Sequence, residues 1–334
     1  MKLWHKFSAA AVLVALSAAG APQSSQAQSV IKMDGSSTVF PIAEAVAEEF
    51  QIANHGKVRV TVGIAGTGGG FKRFCRGETD ISDASRPILK EEMEVCRAAG
   101  IKYLELPIAF DALTVVVNPQ NTWVKSLTTA DLKKMWEPAA QGKVTKWNQA
   151  RSDWPNQPLM LFGPGADSGT FDYFTEAVNG KAKASRGDYT ASEDDNVLVQ
   201  GVENNKNALG YFGYAYYIAH KDKMRAVPID NGKGKTVGPS IEGVIDGSYQ
   251  PFSRPLFIYV KETAAQRPEV QEFIRFLLGD GAGLIKEVGY VPLPAGAYKT
   301  ALQHFEAKKL GTVFGGIPEV GVTIDSLLSR EGKL

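Results

Sequence analysis

The chain has 334 residues, of which 44% are hydrophobic and 22% are charged, a composition typical of a globular protein long enough for two domains. Its formal net charge is +1, so overall charge gives no reason to expect binding to nucleic acid or to an anionic membrane surface. Any anion-binding site must therefore be local.

The N-terminus has the features of a secretory signal. Lys2 and Lys6 form a basic start, and the apolar run FSAAAVLVALSAAGA over residues 7–21 follows. This run is too short to span a membrane comfortably, and small residues ending at Ala27 are typical of a cleavage site. We expect residues 1–27 to be removed and the protein to be periplasmic. No cysteine lies near the cleavage site, so no lipid anchor is expected, and a buried N-terminal helix is the less favoured alternative.

Strand and helix patterns alternate in the mature chain. VIKMDG (30–35) and KVRVTVGI (57–64) predict strands, and the spacing of Ile42, Val46 and Phe50 predicts a helix between them. This order favours an α/β fold with parallel strands, in which ligands bind where strands end and helices begin.

The two cysteines, Cys75 and Cys96, predict a disulfide in an exported chain. Two cysteines alone cannot form a structural zinc site, and His55, His220 and His304 are not spaced like ligands. No metal site and no cofactor are expected.

Two apolar segments, FDALTVVVNP (110–119) and RPLFIYV (254–260), predict strands that lead out of one lobe and back into it. The predicted division is therefore lobe 1 at 28–110 and 255–334, and lobe 2 at 111–254, with the ligand cleft between them. A single continuous α/β domain remains the alternative. ALGYFGYAYY (208–217) predicts an aromatic strand within lobe 2.

Three loops rich in small and hydroxyl residues each precede a predicted helix: DGSST (34–38), GTGGG (66–70) and DSGT (167–170). Each offers free backbone N–H groups and at least one hydroxyl donor, which suits an oxyanion with several oxygens. Taken singly, helix capping is the favoured explanation for DGSST and DSGT, whereas the triple glycine is less easily explained by capping. No loop has the G-K-[ST] ending of a nucleotide-binding P-loop.

The segment SDASRPI carries two charged residues, Asp83 and Arg86. An arginine matches a tetrahedral oxyanion with a fork of donors. A surface salt bridge for Arg86, and a turn or cap role for Asp83, are the simpler alternatives.

These motifs together resemble the phosphate-binding proteins of bacterial phosphate ABC transporters, the PstS-type periplasmic receptors. The segments that carry the resemblance, in the family's order and spacing, are DGSSTVFPIAEAVAEEF, GIAGTGGGFKRFCRGETDISDASRPI, DSGTFDYF, ALGYFGYAYY and RPLFIYV. The resemblance implies a two-lobed "Venus flytrap" fold with two crossover strands. It also implies a non-catalytic receptor, expected to be a monomer, that binds inorganic phosphate and delivers it to a membrane permease.

The resemblance also implies a set of phosphate-binding residues: Ser37, Thr38, the backbone of Val39, Gly66, Thr67, the discriminating carboxylate Asp83, Ser168, Gly169 and Thr170. Many relatives carry an arginine four residues before the serine of S-G-T, where this chain has Pro164. We therefore hypothesise that Arg86 supplies the guanidinium. Asp167 is expected to cap its helix or to pair with Arg86.

Other functions remain open at this stage. A phosphate sensor or adhesive protein would have the same fold and ligand but no permease partner. Another oxyanion, such as arsenate, molybdate or sulfate, is possible in the same class of site. A secreted hydrolase with Ser168 as nucleophile is disfavoured, because GADSGTF is not G-x-S-x-G.

Overall fold

The computed structural model describes residues 28–230 and 234–333. The predicted signal segment and its cleavage near Ala27 lie outside the described residues. None of the helices within those two ranges is both long and apolar enough to cross a membrane.

The described chain forms strands and helices in mixed order. The strands are β1 (Ser29–Gly35), β2 (Val58–Ile64), β3 (Ile81–Ala84), β4 (Tyr103–Ala112), β5 (Thr114–Val117), β6 (Leu127–Thr128), β7 (Met160–Pro164), β8 (Thr190–Ser192), β9 (Ala208–Phe212), β10 (Arg225–Ala226), β11 (Ile229–Asp230), β12 (Thr236–Val237), β13 (Ser253–Lys261) and β14 (Val291–Pro292). The helices are α1 (Phe40–Ala53), α2 (Gly66–Cys75), α3 (Lys90–Ala98), α4 (Thr129–Trp136), α5 (Trp147–Ala150), α6 (Gly169–Asn179), α7 (Asp195–Glu203), α8 (Tyr214–Ala219), α9 (Ile241–Ile245), α10 (Pro268–Leu278), α11 (Ala282–Glu287), α12 (Ala295–Glu306) and α13 (Ile324–Glu331), with short 3₁₀ turns at Pro138–Ala140 and Ala264–Gln266.

The first sheet has the order β14-β4-β13-β3-β1-β2. Its strand β1 runs parallel to β2 and β3, whereas β13 runs antiparallel to β3 and β4. The apolar face of α1, with Ile42, Val46 and Phe50 at helical spacing, is buried in the core, as the pattern predicts.

The second sheet has the order β10-β5-β9-β7-β8, and a small sheet, β12-β11-β6, accompanies it. Strand β7 runs parallel to β8 and β9, so the carboxyl ends of these three strands lie at one edge. This edge carries the loop that leads into α6 and the turn that leads into α7.

The chain passes between the two sheets on two segments. Strand β4 ends at Ala112, and β5 begins in the second sheet after a single residue, Leu113. Strand β13 returns the chain to the first sheet beside β4. The predicted strand over 110–119 is therefore divided between the sheets. This is the predicted α/β architecture with two sheets and two crossing segments, while the lobe boundaries at 110 and 254 stay a prediction.

Two segments differ from their predicted structure. GTGGG is the first turn of α2 itself rather than a loop before it, since the helix begins at Gly66, whose φ of 73° suits glycine. The aromatic strand predicted for ALGYFGYAYY ends at Phe212, and Tyr214 begins α8. Aromatic residues favour strands locally, but here Gly213 ends the strand and is the N-cap of the new helix.

The predicted disulfide between Cys75 and Cys96 is present, and it joins the end of α2 to α3. Both cysteines are buried. The bond closes a loop with a sequence separation of 21 residues.

We expect a Cys75→Ser/Cys96→Ser variant to unfold with a free energy lower by about 3 kcal/mol, because the cross-link restricts the unfolded chain. Urea denaturation of oxidised wild type and variant measures the difference. A reducing agent should lower the midpoint of the wild type and leave that of the variant unchanged. Identical midpoints for the two proteins would contradict the expected contribution.

Candidate functional site

The first of the three loops lies between β1 and α1, and its residues Ser36, Ser37 and Thr38 are buried. The Val39 N–H, which the resemblance assigns to the ligand, donates to the Ser36 carbonyl oxygen at 3.1 Å. The Ser37 carbonyl oxygen accepts a hydrogen bond of 2.9 Å from the Tyr216 hydroxyl on α8. The loop from the first sheet is thus held against a helix of the second sheet.

The second loop forms the start of α2 and contacts the third loop directly. The Gly68 N–H donates to the carbonyl oxygen of Asp167 at 2.7 Å. The Thr67 hydroxyl accepts from the Ser85 N–H at 3.1 Å and lies 3.2 Å from the Ser85 hydroxyl. Ser85, which the sequence analysis does not single out, therefore belongs to the same cluster as Thr67.

The third loop begins α6, and Ser168 is its N-cap. The Ser168 hydroxyl oxygen accepts from the N–H groups of Thr170 and Phe171 at 3.1 and 3.4 Å. Ser168 therefore caps α6, as the capping alternative for this loop predicts. The Thr170 hydroxyl oxygen is not part of the cap and points to other partners.

Gly169 packs closely against Thr67 and Ser85. A Cβ atom at this position would lie 2.5 Å from the Thr67 hydroxyl oxygen and 2.6 Å from that of Ser85. Contacts this short do not occur for a real Cβ, so only glycine fits while the two loops are together.

Thr38 and Thr170 bring the first and third loops together. Their hydroxyl oxygens lie 2.9 Å apart, although the residues are 132 positions apart in the chain. Both accept from the Nη2 of Arg254, at 3.2 Å for Thr38 and 2.8 Å for Thr170. Arg254 is completely buried and is the arginine at the centre of this cluster.

A fixed ion pair positions Arg254. Strand β13 places it directly opposite Asp111 of β4, whose Oδ2 accepts from Nε at 3.2 Å and from Nη2 at 3.0 Å. The other oxygen of Asp111 accepts from the Tyr214 N–H, and Nη1 of Arg254 donates to the Ser85 carbonyl oxygen at 3.2 Å. Burial raises the pKa of Asp111, and the Arg254 guanidinium opposes that rise. The carboxylate oxygens of Asp111 are thus fully engaged.

Hydroxyl hydrogens remain available in this cluster. Thr38 and Thr170 both accept from Arg254, so only one of them can also donate to the other. The same holds for Thr67 and Ser85, which share one hydroxyl contact. Within residues 28–230 and 234–333, the remaining hydrogen of each pair has no acceptor of its own. The cluster therefore offers donors at the contact between the two sheets.

Arg86, the residue hypothesised to bind the ligand, is engaged elsewhere. Its guanidinium makes two contacts of 2.8 Å to the carboxylate of Glu92 and one of 2.7 Å to Asp172 of α6. Burial alone would lower the pKa of Arg86, but Glu92 and Asp172 raise it above its ordinary value. The structure therefore places Arg86 in a buried ion cluster that joins α3 to α6, and a ligand role for it stays a prediction.

Asp167 and Asp83 are the two acids considered together with Arg86 in the sequence, and their surroundings differ from those of Arg86. Asp167 neither caps α6 nor pairs with Arg86, since it accepts from Lys72 of α2 at 2.6 Å. Asp83 is buried in β3 between β1 and β13, with no hydrogen bond from a described residue to its carboxylate oxygens. Burial raises the pKa of Asp83 to about 8, and the neighbouring Asp34 adds to the rise.

Comparisons with known proteins give the family. Residues 20–280 match the model of the PBP superfamily domain. The chain is 54% identical over 310 residues to protein SphX of Synechococcus elongatus, covering 93% of this chain and 91% of that protein. It is 42% identical over 278 residues to the phosphate-binding protein PstS of Staphylococcus haemolyticus, covering 82% of this chain and 84% of that one.

A solved structure agrees with these relatives. A putative phosphate ABC transporter substrate-binding protein from Clostridium perfringens, with bound phosphate, matches with a TM-score of 0.67 and 27% identity. The match covers 79% of this chain and all of that one, 100%. The chain belongs to the PstS-like phosphate-binding proteins of the PBP superfamily. The predicted two-lobed fold, and the prediction of a binding protein rather than an enzyme, are thereby confirmed.

The PstS-like resemblance located the three loops but missed Arg254, Asp111 and Ser85. The available signal was one charged residue in each of the two crossing strands, Asp111 in FDALTVVV and Arg254 in RPLFIYV. A buried charge needs an opposite charge, so the two could have been paired. Their register across β4 and β13 is not readable from the sequence.

We expect Arg86→Met to lower the free energy of unfolding by about 3 kcal/mol or more, because it leaves Glu92 and Asp172 buried without a cation. Urea denaturation measures this loss. Arg151→Met is the matched control, because Arg151 makes a similar two-contact pair with Asp131 but is more exposed, and it should cost at most about 1 kcal/mol. Loss of anion binding by Arg86→Met at unchanged stability would instead support the ligand role first hypothesised for it.

Proposed function

We propose that this protein binds inorganic phosphate between its two lobes and delivers it to the permease of a phosphate ABC transporter. One observation carries the proposal: the hydroxyl groups of Thr38 and Thr170, from opposite sheets, contact each other and both accept from the buried Arg254, which leaves one hydroxyl hydrogen free to donate. Hydroxyl donors that have no acceptor in the protein fit a ligand whose atoms are mostly hydrogen-bond acceptors. A tetrahedral oxyanion is such a ligand.

The binding site that we propose consists of the three loops and the arginine. Its residues are Ser37, Thr38, Val39, Gly66, Thr67, Ser85, Ser168, Gly169, Thr170 and Arg254. Phosphate oxygens would replace the direct contacts between hydroxyl groups of the two lobes, such as Thr38 with Thr170. The Gly169 N–H would contribute a backbone donor after a small separation of the lobes, whereas the Val39 N–H would first have to leave the Ser36 carbonyl oxygen within its own loop.

Many relatives have an arginine at the position of Pro164. We propose that in this chain Arg254 supplies the guanidinium instead. Its position supports this, since Nη2 already contacts the two hydroxyl groups that face each other across the lobes. Arg86 has three carboxylate contacts that would have to break before it could turn to a ligand.

A ligand held by both lobes stabilises the closed arrangement and shifts the population toward it. The closed form would then be recognised by the permease. We propose that this takes place in the periplasm, after removal of the signal segment, and that the protein acts as a monomer.

Titration calorimetry with phosphate, arsenate and sulfate tests the ligand directly. Phosphate should bind, arsenate should bind because it has the same shape and also carries protons, and sulfate should bind far more weakly. No heat of binding with phosphate, for protein that is folded by circular dichroism, would end the proposal.

Arg254→Lys should weaken phosphate binding by about 100-fold, because lysine keeps the charge but loses the planar fork that bridges two hydroxyls and Asp111. Arg267→Lys is the matched control, since Arg267 pairs with Asp80 and Glu269 away from the cluster. Its affinity should equal that of the wild type. Equal affinities for all three proteins would show that Arg254 does not contact the ligand.

A further inference from the structure

A cavity of about 540 Å³ lies beside the first sheet, at the start of β4. One of its walls is a single face of α3, on which Lys90, Met93, Glu94 and Arg97 follow helical spacing. The other walls are the first residues of β4 and the loop between α12 and α13. None of the residues proposed to bind phosphate lines this cavity, so it is a separate feature of the molecule.

The walls of the cavity are held in place by the fold. The Gly311 N–H donates to the Tyr103 carbonyl oxygen at 2.9 Å, and the Lys90 N–H donates to the Gly316 carbonyl oxygen at 3.1 Å. Gly316 has a φ of 80°, and a Cβ atom there would lie only 2.8 Å from the Met93 sulfur. The disulfide joins α3 to α2. The cavity is therefore formed before any ligand enters it, as is usual for small-molecule sites.

Tyr103 brings an unused hydrogen-bond donor to this cavity. The residue is only 7% exposed, and its ring packs against those of Phe74 and Tyr259, with centroids 6.4 and 5.6 Å away. Its hydroxyl makes no hydrogen bond within the described part of the chain, although buried tyrosine hydroxyls usually have a partner. Burial, and then Glu105 and Glu92, raise the pKa of Tyr103 above its ordinary value. The hydroxyl therefore keeps its proton and can donate it to a ligand.

The charged residues of the lining favour an anion. Lys90 and Arg97 form no ion pair with any residue that the structure describes, and Lys102 lies 3.8 Å from Glu262. Glu94 is the single acid among the described residues that line the cavity. Three cations and one acid give the lining a positive balance, which is complementary to a negatively charged group.

The uncharged part of the lining is mostly apolar. Met93 and Ile101 are partly buried and pack against the core, and Leu310 is 40% exposed. A methionine side chain adapts its shape to what it contacts. An inorganic anion would gain nothing from these side chains, whereas an alkyl chain placed against them would be removed from water. The lining therefore suits a ligand that is apolar over most of its length and negatively charged at one end.

We propose that this cavity binds a small amphipathic anion, a carboxylate with an alkyl chain of medium length. The carboxylate accepts from the Tyr103 hydroxyl and pairs with the cations of the lining, among which Arg97 has the fork of donors that matches a carboxylate. The alkyl chain lies against Met93, Ile101 and Leu310. This second site goes beyond the proposed phosphate function and does not depend on it.

The test is titration of the protein, labelled with ¹³C at the methionine methyl groups, with decanoate below its micelle concentration. The methyl resonance of Met93, assigned with Met93→Leu, should shift and saturate, and excess phosphate should not reverse the shift. Octanoate should bind about tenfold more weakly, because two fewer methylene groups are buried. Decanol, with the same chain but no charge, should bind at least about tenfold more weakly than decanoate.

Two variants locate the head group. Tyr103→Phe keeps the ring and removes only the hydroxyl, and Arg97→Gln removes one cation, so each should weaken decanoate binding by about tenfold with an unchanged urea midpoint. Lys143→Gln is the matched control, since Lys143 is exposed and does not line the cavity, and it should bind decanoate like wild type. The inference would be overturned if the Met93 resonance did not shift, if decanol bound as tightly as decanoate, or if both variants kept wild-type affinity. Absence of phosphate binding in calorimetry would reject the proposed function and leave this site unaffected.

Discussion

The arrangement of this molecule depends on one buried ion pair, Arg254 with Asp111. The two residues face each other on β13 and β4, the strands at which the chain leaves and re-enters the first sheet. Burying two charges is costly unless every donor and acceptor is satisfied. The remaining donors of Arg254 therefore have to find oxygens, and those oxygens belong to Ser85, Thr38 and Thr170, on loops of both sheets. The ion pair between the two crossing strands thus also fixes the loops.

Much of the fold was predictable, because local pattern and tertiary packing agree over most of the chain. The period of α1 and the alternation in β2 each bury the face that the sequence predicts. Predictions were wrong where the topology overrides local preference. The aromatic run after Phe212 becomes α8 instead of continuing the strand. The apolar segment over 110–119 does cross between the two sheets as predicted, but it is divided into β4 and β5.

The candidate site was predictable only in its loops. Small and hydroxyl residues between a strand and a helix indicate either a helix cap or an anion site, so the three loops could be located without a structure. Arg254 was missed because it looks like the polar end of an apolar strand, and its partner Asp111 is 143 positions away. Arg86 was chosen to replace the arginine that is missing at Pro164, but its neighbour in space is Asp172 of α6.

Charge balance gives a physical reason for the division of roles among these residues. Asp111 neutralises Arg254 locally, so the cluster carries no large net positive charge that would hold every anion equally. Affinity then has to come from hydrogen bonds with fixed directions, which hydroxyl and backbone donors supply. In such a site an additional carboxylate can be tolerated, because it costs little for a ligand that brings its own proton. The same carboxylate remains unpaired against a ligand without protons. A site that relied on an unneutralised cluster of cations would have no comparable means of telling phosphate from sulfate.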